Sequence, residues 1–210
     1  MSHAFPSSFS DIARPLSPDQ LSETARQDIE RLAEQGYEIH FGLTPEYAEA
    51  IINMALELAI REYCPNDSGK RFASQEATKD WLSKERATFL LFKRNAGGLQ
   101  LAGYGWVGSG TSLHVPGGET TFALRIGEIG QGQGLATPFA RLIVLGSASL
   151  YGARNMWLET WQSNGGAVHV YHKIGFVDVD QEAGERPTAN GETVADTRLF
   201  MSLPDSQLSN

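Results

Sequence analysis

Gln131-Gly132-Gln133-Gly134-Leu135-Ala136 is the stretch of this sequence whose residue types and spacing point most directly to chemistry. Glycines let a backbone turn tightly and let a ligand come close to it. The residues before the stretch, Thr120 to Ile126, put Phe122, Leu124 and Ile126 on one face, the period of a strand. Those after it place Leu135, Phe139, Leu142, Gly146 and Leu150 at helical spacing. Pro138 falls in the first turn, where its missing N–H costs no helical bond. Strand, glycine turn and helix start together aim free N–H groups and a positive dipole end at one spot. That spot suits a phosphate or pyrophosphate.

Spacing separates the families that build such a turn. A P-loop needs Gly-Lys-Ser or Gly-Lys-Thr where Leu135-Ala136 stand. A dinucleotide fingerprint needs glycine at 135 and normally lies on an early βαβ unit. Gln-x-x-Gly-x-Ala does fit, as Gln131, Gly134 and Ala136, and it resembles the coenzyme A pyrophosphate loop of the GNAT acyltransferase superfamily. Downstream, Leu158-Glu159, Asn164, Ala167, Tyr171 and Gly175-Phe176 follow in the order of the second half of that fold. The resemblance covers roughly residues 37–203, and the pairing of the two halves carries it.

The resemblance implies an α/β fold with a central mixed sheet of about six or seven strands and helices on both faces. It also implies a splay between the fourth and fifth strands, those ending near Ile126 and Gln162. The cosubstrate would be acetyl-CoA, with no metal. Its pantetheine arm would lie against Leu124, Arg125 and Ile126, and its pyrophosphate on the amides of Gln131, Gly132, Gln133, Gly134, Leu135 and Ala136. Asn164 and Ala167 would border the arm, and Tyr171 would sit by the thioester sulfur. Splayed strands leave N–H and C=O groups unpaired at mid-sheet, which an amide-bearing ligand can satisfy.

Acyl transfer to an amine sets two requirements. An ammonium must lose a proton before it attacks, and the departing thiolate, with a pKa near the ~8.5 of a free thiol, gains from a proton donor. Tyr171, ordinarily titrating at about 10, could supply that proton; the alternative is a core tyrosine on a helix face. Glu159 matches the general base, direct or through water, of the branch that acetylates ribosomal protein N-termini. Glu119 is its rival at the start of the Thr120 strand, and Glu128 reads as a shaper of the turn. His114 in the long loop, and His169 and His172 beside Tyr171, read as surface residues. Arg141 and Lys173 could meet the ribose phosphate or simply face solvent. Trp106, Trp161, Tyr63 and Phe72 fit an acceptor wall or the core equally well.

The resemblance implies transfer of acetyl to a primary amine of a small molecule or protein by direct attack on the thioester. A catalytically inactive acyl-CoA-binding sensor or interaction protein is the alternative, disfavoured by the intact Glu159, Asn164 and Tyr171 set. A nucleotide-dependent oxidoreductase lacks its glycine at 135 and a repeated βαβ half.

Composition bounds the rest. With 210 residues the chain suits one domain, and a net charge of −8 argues against duplex DNA while allowing a cationic substrate such as an amine. The single cysteine, Cys64, forms no internal disulfide and reads as a small buried hydrophobe rather than a nucleophile. No apolar run would span a bilayer, and Met1 to Ser10 lacks the features of a signal peptide. The expectation is a cytoplasmic protein without membrane or nucleic-acid partners, with a homodimer left open.

The elements that must position these residues follow from local pattern. Residues 1–16 read as an unpatterned flexible arm and 204–210 as a tail. An additional helix spans 17–36, started by Ser17, Pro18 and Gln20, with Leu21, Ala25, Ile29 and Leu32 as its stripe and Gly36 as its stop. A single domain covers 37–203: a strand from Tyr37 to Leu43, a helix from Thr44 to Pro65, a polar loop from Asn66 to Arg71 and a short helix capped by Ser74. Asn95-Ala96-Gly97-Gly98 marks a hairpin between Ala87–Arg94 and Leu99–Val107. After the Thr120 strand and central helix come a strand to Trp161, a helix from Ala167 to Lys173 and a strand starting at Gly175. A polar loop from Gln181 to Glu192 and a last strand from Val194 to Leu203 close the domain.

Overall fold

A computed structural model describes residues 14–15, 19 and 21–208. Its centre is the hairpin of β3 (Arg86–Asn95) and β4 (Gly98–Ser109), joined by the two-residue turn Ala96-Gly97. Asn95 Oδ1 accepts from the Gly97 N–H at 3.0 Å, a local bond that fixes the turn. Residues 87–92 are buried in unbroken succession because β3 is covered on both faces. Phe89 and Leu91 enter one core, Leu90 and Phe92 the other.

The sheet runs β1-β2-β3-β4-β5-β6-β8-β7, with β1 at Arg14–Pro15, β2 at Tyr37–Phe41, β5 at Thr120–Ile126, β6 at Met156–Trp161, β7 at Val177–Pro187 and β8 at Thr193–Leu203. These eight strands exceed the six or seven expected because Arg14 and Pro15 pair with Phe41 and His40. Among the described strands only β5 and β6 are parallel, and they pair at two positions alone, Thr120↔Met156 and Thr121↔Trp157. Beyond these they diverge, at the expected splay.

The first core lies under α1 (Glu23–Glu34), α5 (Ala136–Tyr151) and α6 (Gly165–Lys173). The second lies under α2 (Pro45–Ala55), α3 (Leu58–Tyr63) and α4 (Gln75–Leu82). Ser17, Pro18 and Gln20, the expected start of α1, lie outside the described residues, and Ser22 caps the helix instead by accepting from the Ala25 N–H at 3.4 Å. The expected stripe does face inward, and α1 is tied to α5 by Asp28 and Arg141 at 2.6 and 2.7 Å. No helix among the described residues is long and apolar enough to cross a membrane.

Three local expectations need correction. The single helix from 44 to 65 is two, because the backbone opens at Glu57 (ψ 140°) and its carboxylate turns to accept from the Glu128 N–H at 2.7 Å. The loop from Asn66 to Arg71 is a π-helical turn over Asp67–Arg71, wound around a fully buried Asp67. The polar loop from 181 to 192 is strand as far as Pro187. The end of β7 pairs only with β8 and leaves nearly all its residues exposed, so no apolar alternation marks it.

Candidate active site

Ladder register sets what the splay offers. Gly127 N–H donates to Ala102 O across β4–β5, so alternation turns the Leu124 and Ile126 backbone toward β6. Leu124 O takes a bond from Arg125 Nη1 at 2.8 Å and Ile126 O one from Gln131 Nε2 at 3.3 Å, while their N–H groups open onto the gap. A 3₁₀ turn, Glu128–Gly130, then leads into the glycine loop. Gly132 and Gly134 adopt φ of 71° and 73°, and a Cβ at either would project into open space. α5 begins after Leu135 with no side-chain cap and no acid in its first turn, so its leading N–H groups face the cleft.

The resulting cleft, about 710 Å³, is lined by Leu124, Arg125, Ile126, Gln131, Gly132, Gly134, Leu135, Ala136, Asn164, Ala167 and Tyr171. These are the expected cosubstrate residues except Gln133, which is exposed and does not line this cleft. Arg31, Arg141, His169 and Lys173 complete its polar rim, and among the described residues no aspartate or glutamate lines it. Asn164 Oδ1 caps α6 by accepting from the Ala167 N–H at 3.4 Å. The additional helix, α1, supplies Arg31 and, through Asp28, the brace on Arg141.

A second cleft, about 480 Å³, opens on the other side of the splay. The two share Tyr63, Cys64, Arg125 and Tyr171, so a ligand in one meets a ligand in the other there. Tyr171 is 5 % exposed, its ring set against Phe122 and Phe176. No described residue hydrogen-bonds its hydroxyl, and burial pushes its pKa up to about 12 against the opposing pull of Arg125. Burial likewise raises the Cys64 thiol, again opposed by Arg125, which keeps it an inert thiol rather than a ready nucleophile.

Arg125 contributes its side chain as well as its backbone. Its guanidinium meets the buried Asp67 at 2.7 Å, and Asp67 also binds Arg71 and the Tyr104 hydroxyl, each at 3.0 Å. Burial, the largest single influence, would make Arg125 easier to deprotonate, but the Asp67 carboxylate together with Cys64, Tyr104 and Tyr171 outweighs it and the pKa rises. Asp67 and Tyr104 were not legible as site residues, because no motif announces a carboxylate whose partners lie 58 and 37 positions away.

Glu159 lines the second cleft together with Tyr171, its carboxylate half-exposed and 3.4 Å from Arg198. Arg198 in turn stacks on Trp161 at 4.5 Å. Glu119 lines neither cleft, and Glu128 is tied to Glu57 in the turn. His114 also lines neither; it stacks on Phe200 at 3.8 Å and meets Asp180 at 2.8 Å, pinning the long loop to β7. His172 pairs with Asp178 at 3.0 Å. Tyr63, Trp106 and Trp161 reach the second cleft, whereas Phe72 is core. α3 bridges the two halves of the sheet: Tyr63 donates to Ser163 O at 3.2 Å, and Glu62 holds Arg186 at 2.8 Å and the Ala189 N–H at 2.9 Å.

A mixed sheet splayed at its parallel pair, with a glycine-rich turn leading into a helix start beside the splay, defines the class of this fold. No family model and no curated protein matches the sequence. Solved structures do match. The ribosomal-protein-S5-alanine acetyltransferase from Vibrio fischeri superposes with a TM-score of 0.64 at 13 % identity, over 95 % of this chain and 100 % of that one. The spermidine N-acetyltransferase from Vibrio cholerae, in complex with CoA and spermine, gives 0.62 at 19 % identity, over 84 % and 99 %. An acetyltransferase of the GNAT family from Streptococcus pneumoniae gives 0.59 at 18 % identity, over 79 % and 98 %. The chain has the GNAT fold.

Proposed function

We propose that this protein is an N-acetyltransferase that moves an acetyl group from acetyl-CoA to a primary amine by direct attack on the thioester. One observation carries the reading: an acid-free, amide-lined cleft meets a second cleft at Tyr171, in a chain whose net charge is −8. The first fits the anionic pyrophosphate on the α5 start and the 131–136 amides, and the amide-bearing arm against the Leu124 and Ile126 N–H groups. The second admits the acceptor.

Glu159, directly or through water, takes the proton that the ammonium must lose. The amine nitrogen then bonds to the carbonyl carbon as the C–S bond breaks, Tyr171 gives its proton to the departing sulfur, and the extra proton on the new amide nitrogen is lost to return the phenolate to its neutral form. Glutamate and tyrosine work from different sides of the reacting carbon, so neither has to do both tasks. The spermidine N-acetyltransferase bound to CoA and spermine supports this reading, as does a similarly folded acetyltransferase from Salmonella typhimurium that holds acetyl-CoA.

The test is CoA release from acetyl-CoA over a panel of amines, beside thermal unfolding with and without acetyl-CoA. A ligand at a hundred times its dissociation constant stabilises the folded state by about 2.7 kcal/mol. Stabilisation with amine-dependent CoA release is the expected result. No stabilisation and no release with any amine overturns the proposal, and stabilisation without release reduces it to acyl-CoA binding.

A further inference from the structure

All four tryptophans of the chain line the second cleft. They arrive from three elements: Trp81 from α4, Trp106 from β4, and Trp157 and Trp161 from β6. Alternation along β6 turns Met156 and Leu158 into the first core, so Trp157, Glu159 and Trp161 share the opposite face. The base of the proposed reaction therefore stands between two indoles. Trp81 and Trp106 meet edge to face at 4.8 Å and form the facing wall.

Register sets what lies between the walls. Across the β4–β5 ladder Ala123 is opposite Trp106 and Thr121 opposite Gly108, while Thr121 pairs on its other side with Trp157. Thr121 and Ala123 line the cleft, so its floor is made of small side chains. Neighbouring strands lie about 4.8 Å apart, which sets β4 and β6 about 10 Å apart across β5 before the splay widens the gap. A flat group fits above this floor. Trp157 is fixed from the loop side: Nε1 donates to Gly110 O at 2.8 Å, and Gly118 packs so closely that a Cβ there would come within 2.7 Å of the ring. The rest of that half-buried indole faces the cleft. Arg125 and Arg198 lie 5.0 and 4.5 Å from the Trp106 and Trp161 rings. An aromatic ring is the ligand plane that stacks with indole and guanidinium alike.

Resting on the acetyl-transfer reading, we propose that the acceptor is a primary amine joined by a short chain to an aromatic ring, the ring over Thr121 and Ala123 between Trp106 and Trp157, and the nitrogen at Glu159. The ring sets affinity and orientation, and the nitrogen alone takes part in the chemistry. A polyamine has no plane to place on this floor.

Two readouts separate the acceptor from the reaction. Intrinsic fluorescence reports occupancy, because every tryptophan of the chain lines the cleft, and CoA release reports turnover. The ligands are 2-phenylethylamine, its saturated analogue 2-cyclohexylethylamine, n-butylamine and spermidine. 2-Phenylethylamine should have the highest kcat/KM, exceeding the cyclohexyl compound by roughly 2- to 10-fold for each stacked indole, the worth of an aromatic pair beyond the area it buries. Trp157→Leu should raise the KM for 2-phenylethylamine by a similar factor, with the KM for n-butylamine and for acetyl-CoA unchanged, and Trp157→Phe, which keeps a ring, should recover most of the loss. Ala123→Leu fills the floor and should exclude the ring more than the straight chain, which guards against a misfolded Trp157 variant. Spermidine or n-butylamine surpassing 2-phenylethylamine would overturn this inference and leave acetyl transfer standing. So would equal kinetics for the phenyl and cyclohexyl compounds, or a KM for 2-phenylethylamine that survives both leucine variants. A fluorescence change with 2-phenylethylamine but no CoA release from any amine keeps the ring site and defeats acetyl transfer. Neither signal with any amine defeats both readings.

Discussion

Burial holds Tyr171 protonated throughout the working pH range, so the acid form is always present, while the upward shift makes transfer to a sulfur leaving near the ~8.5 of a free thiol an uphill step. The ring is held by Phe122 and Phe176, so Tyr171→Phe removes an oxygen without opening a cavity. In that variant acetyl-CoA affinity should persist by calorimetry, while kcat drops roughly 10²–10⁴-fold if proton transfer limits the rate. With the hydroxyl titrating at about 12 rather than its ordinary 10, the parent should show no alkaline loss from this group until well above pH 10. Turnover of Tyr171→Phe at the parental rate, with chemistry limiting, would make the residue a packing group. Glu159 differs in kind, since as the proposed base its loss should starve the reaction of nucleophile. Glu159→Gln should lose most at low pH, where the acceptor is ammonium, and recover partly at high pH, where hydroxide deprotonates it. A uniform loss at every pH would remove Glu159 as base, and a pH–rate profile reads the difference.

At the level of elements, the glycine turn is where local sequence and tertiary purpose coincide. Gly132 and Gly134 need positive φ, and the space beyond them is open to a ligand. Gly134→Val forces a β-branched residue into the left-handed region, at a cost of about 1–2 kcal/mol, and plants its methyls where the pyrophosphate would lie. The fold should survive with a lower melting temperature, and acetyl-CoA affinity should fall at least tenfold by calorimetry. Unchanged affinity with an intact fold would remove the cradle as the anion site. Such turns, like Asn95–Gly98 and the Pro138 helix start, were legible because their chemistry is local. The splay was legible only through the paired motifs on its two sides. The π-turn at Asp67 was not, since a buried carboxylate among polar neighbours reads as loop until Arg125 and Tyr104 arrive from across the sheet. Nor was the far end of β7, where polar residues on a doubly exposed strand carry no period. The break at Glu57 escaped for the same reason: its cause, the Glu128 N–H, lies 71 residues on.

For the molecule as a whole, charge is distributed against its own sum. A chain of net −8 should repel an anionic cosubstrate, yet the lining of the first cleft holds Arg31, Arg125, Arg141 and Lys173 and no acid. Arg141 is braced by Asp28 and Arg125 by Asp67, whereas Arg31 sits exposed in the last turn of α1 and acts as a charge at the rim. An exposed charge of this kind contributes at most about 1 kcal/mol, and the Debye length of about 8 Å at physiological salt limits it further. Arg31→Gln should therefore raise the KM for acetyl-CoA by no more than about fivefold at low ionic strength, leave kcat alone, and become indistinguishable from the parent near 1 M salt. The parent itself should bind acetyl-CoA less tightly as salt rises. If Arg31→Gln instead lowers the melting temperature and leaves the salt dependence of acetyl-CoA binding untouched, α1 is a cover for the α5 face and nothing more. If the salt slope flattens while the melting temperature holds, the additional helix is part of the cosubstrate site.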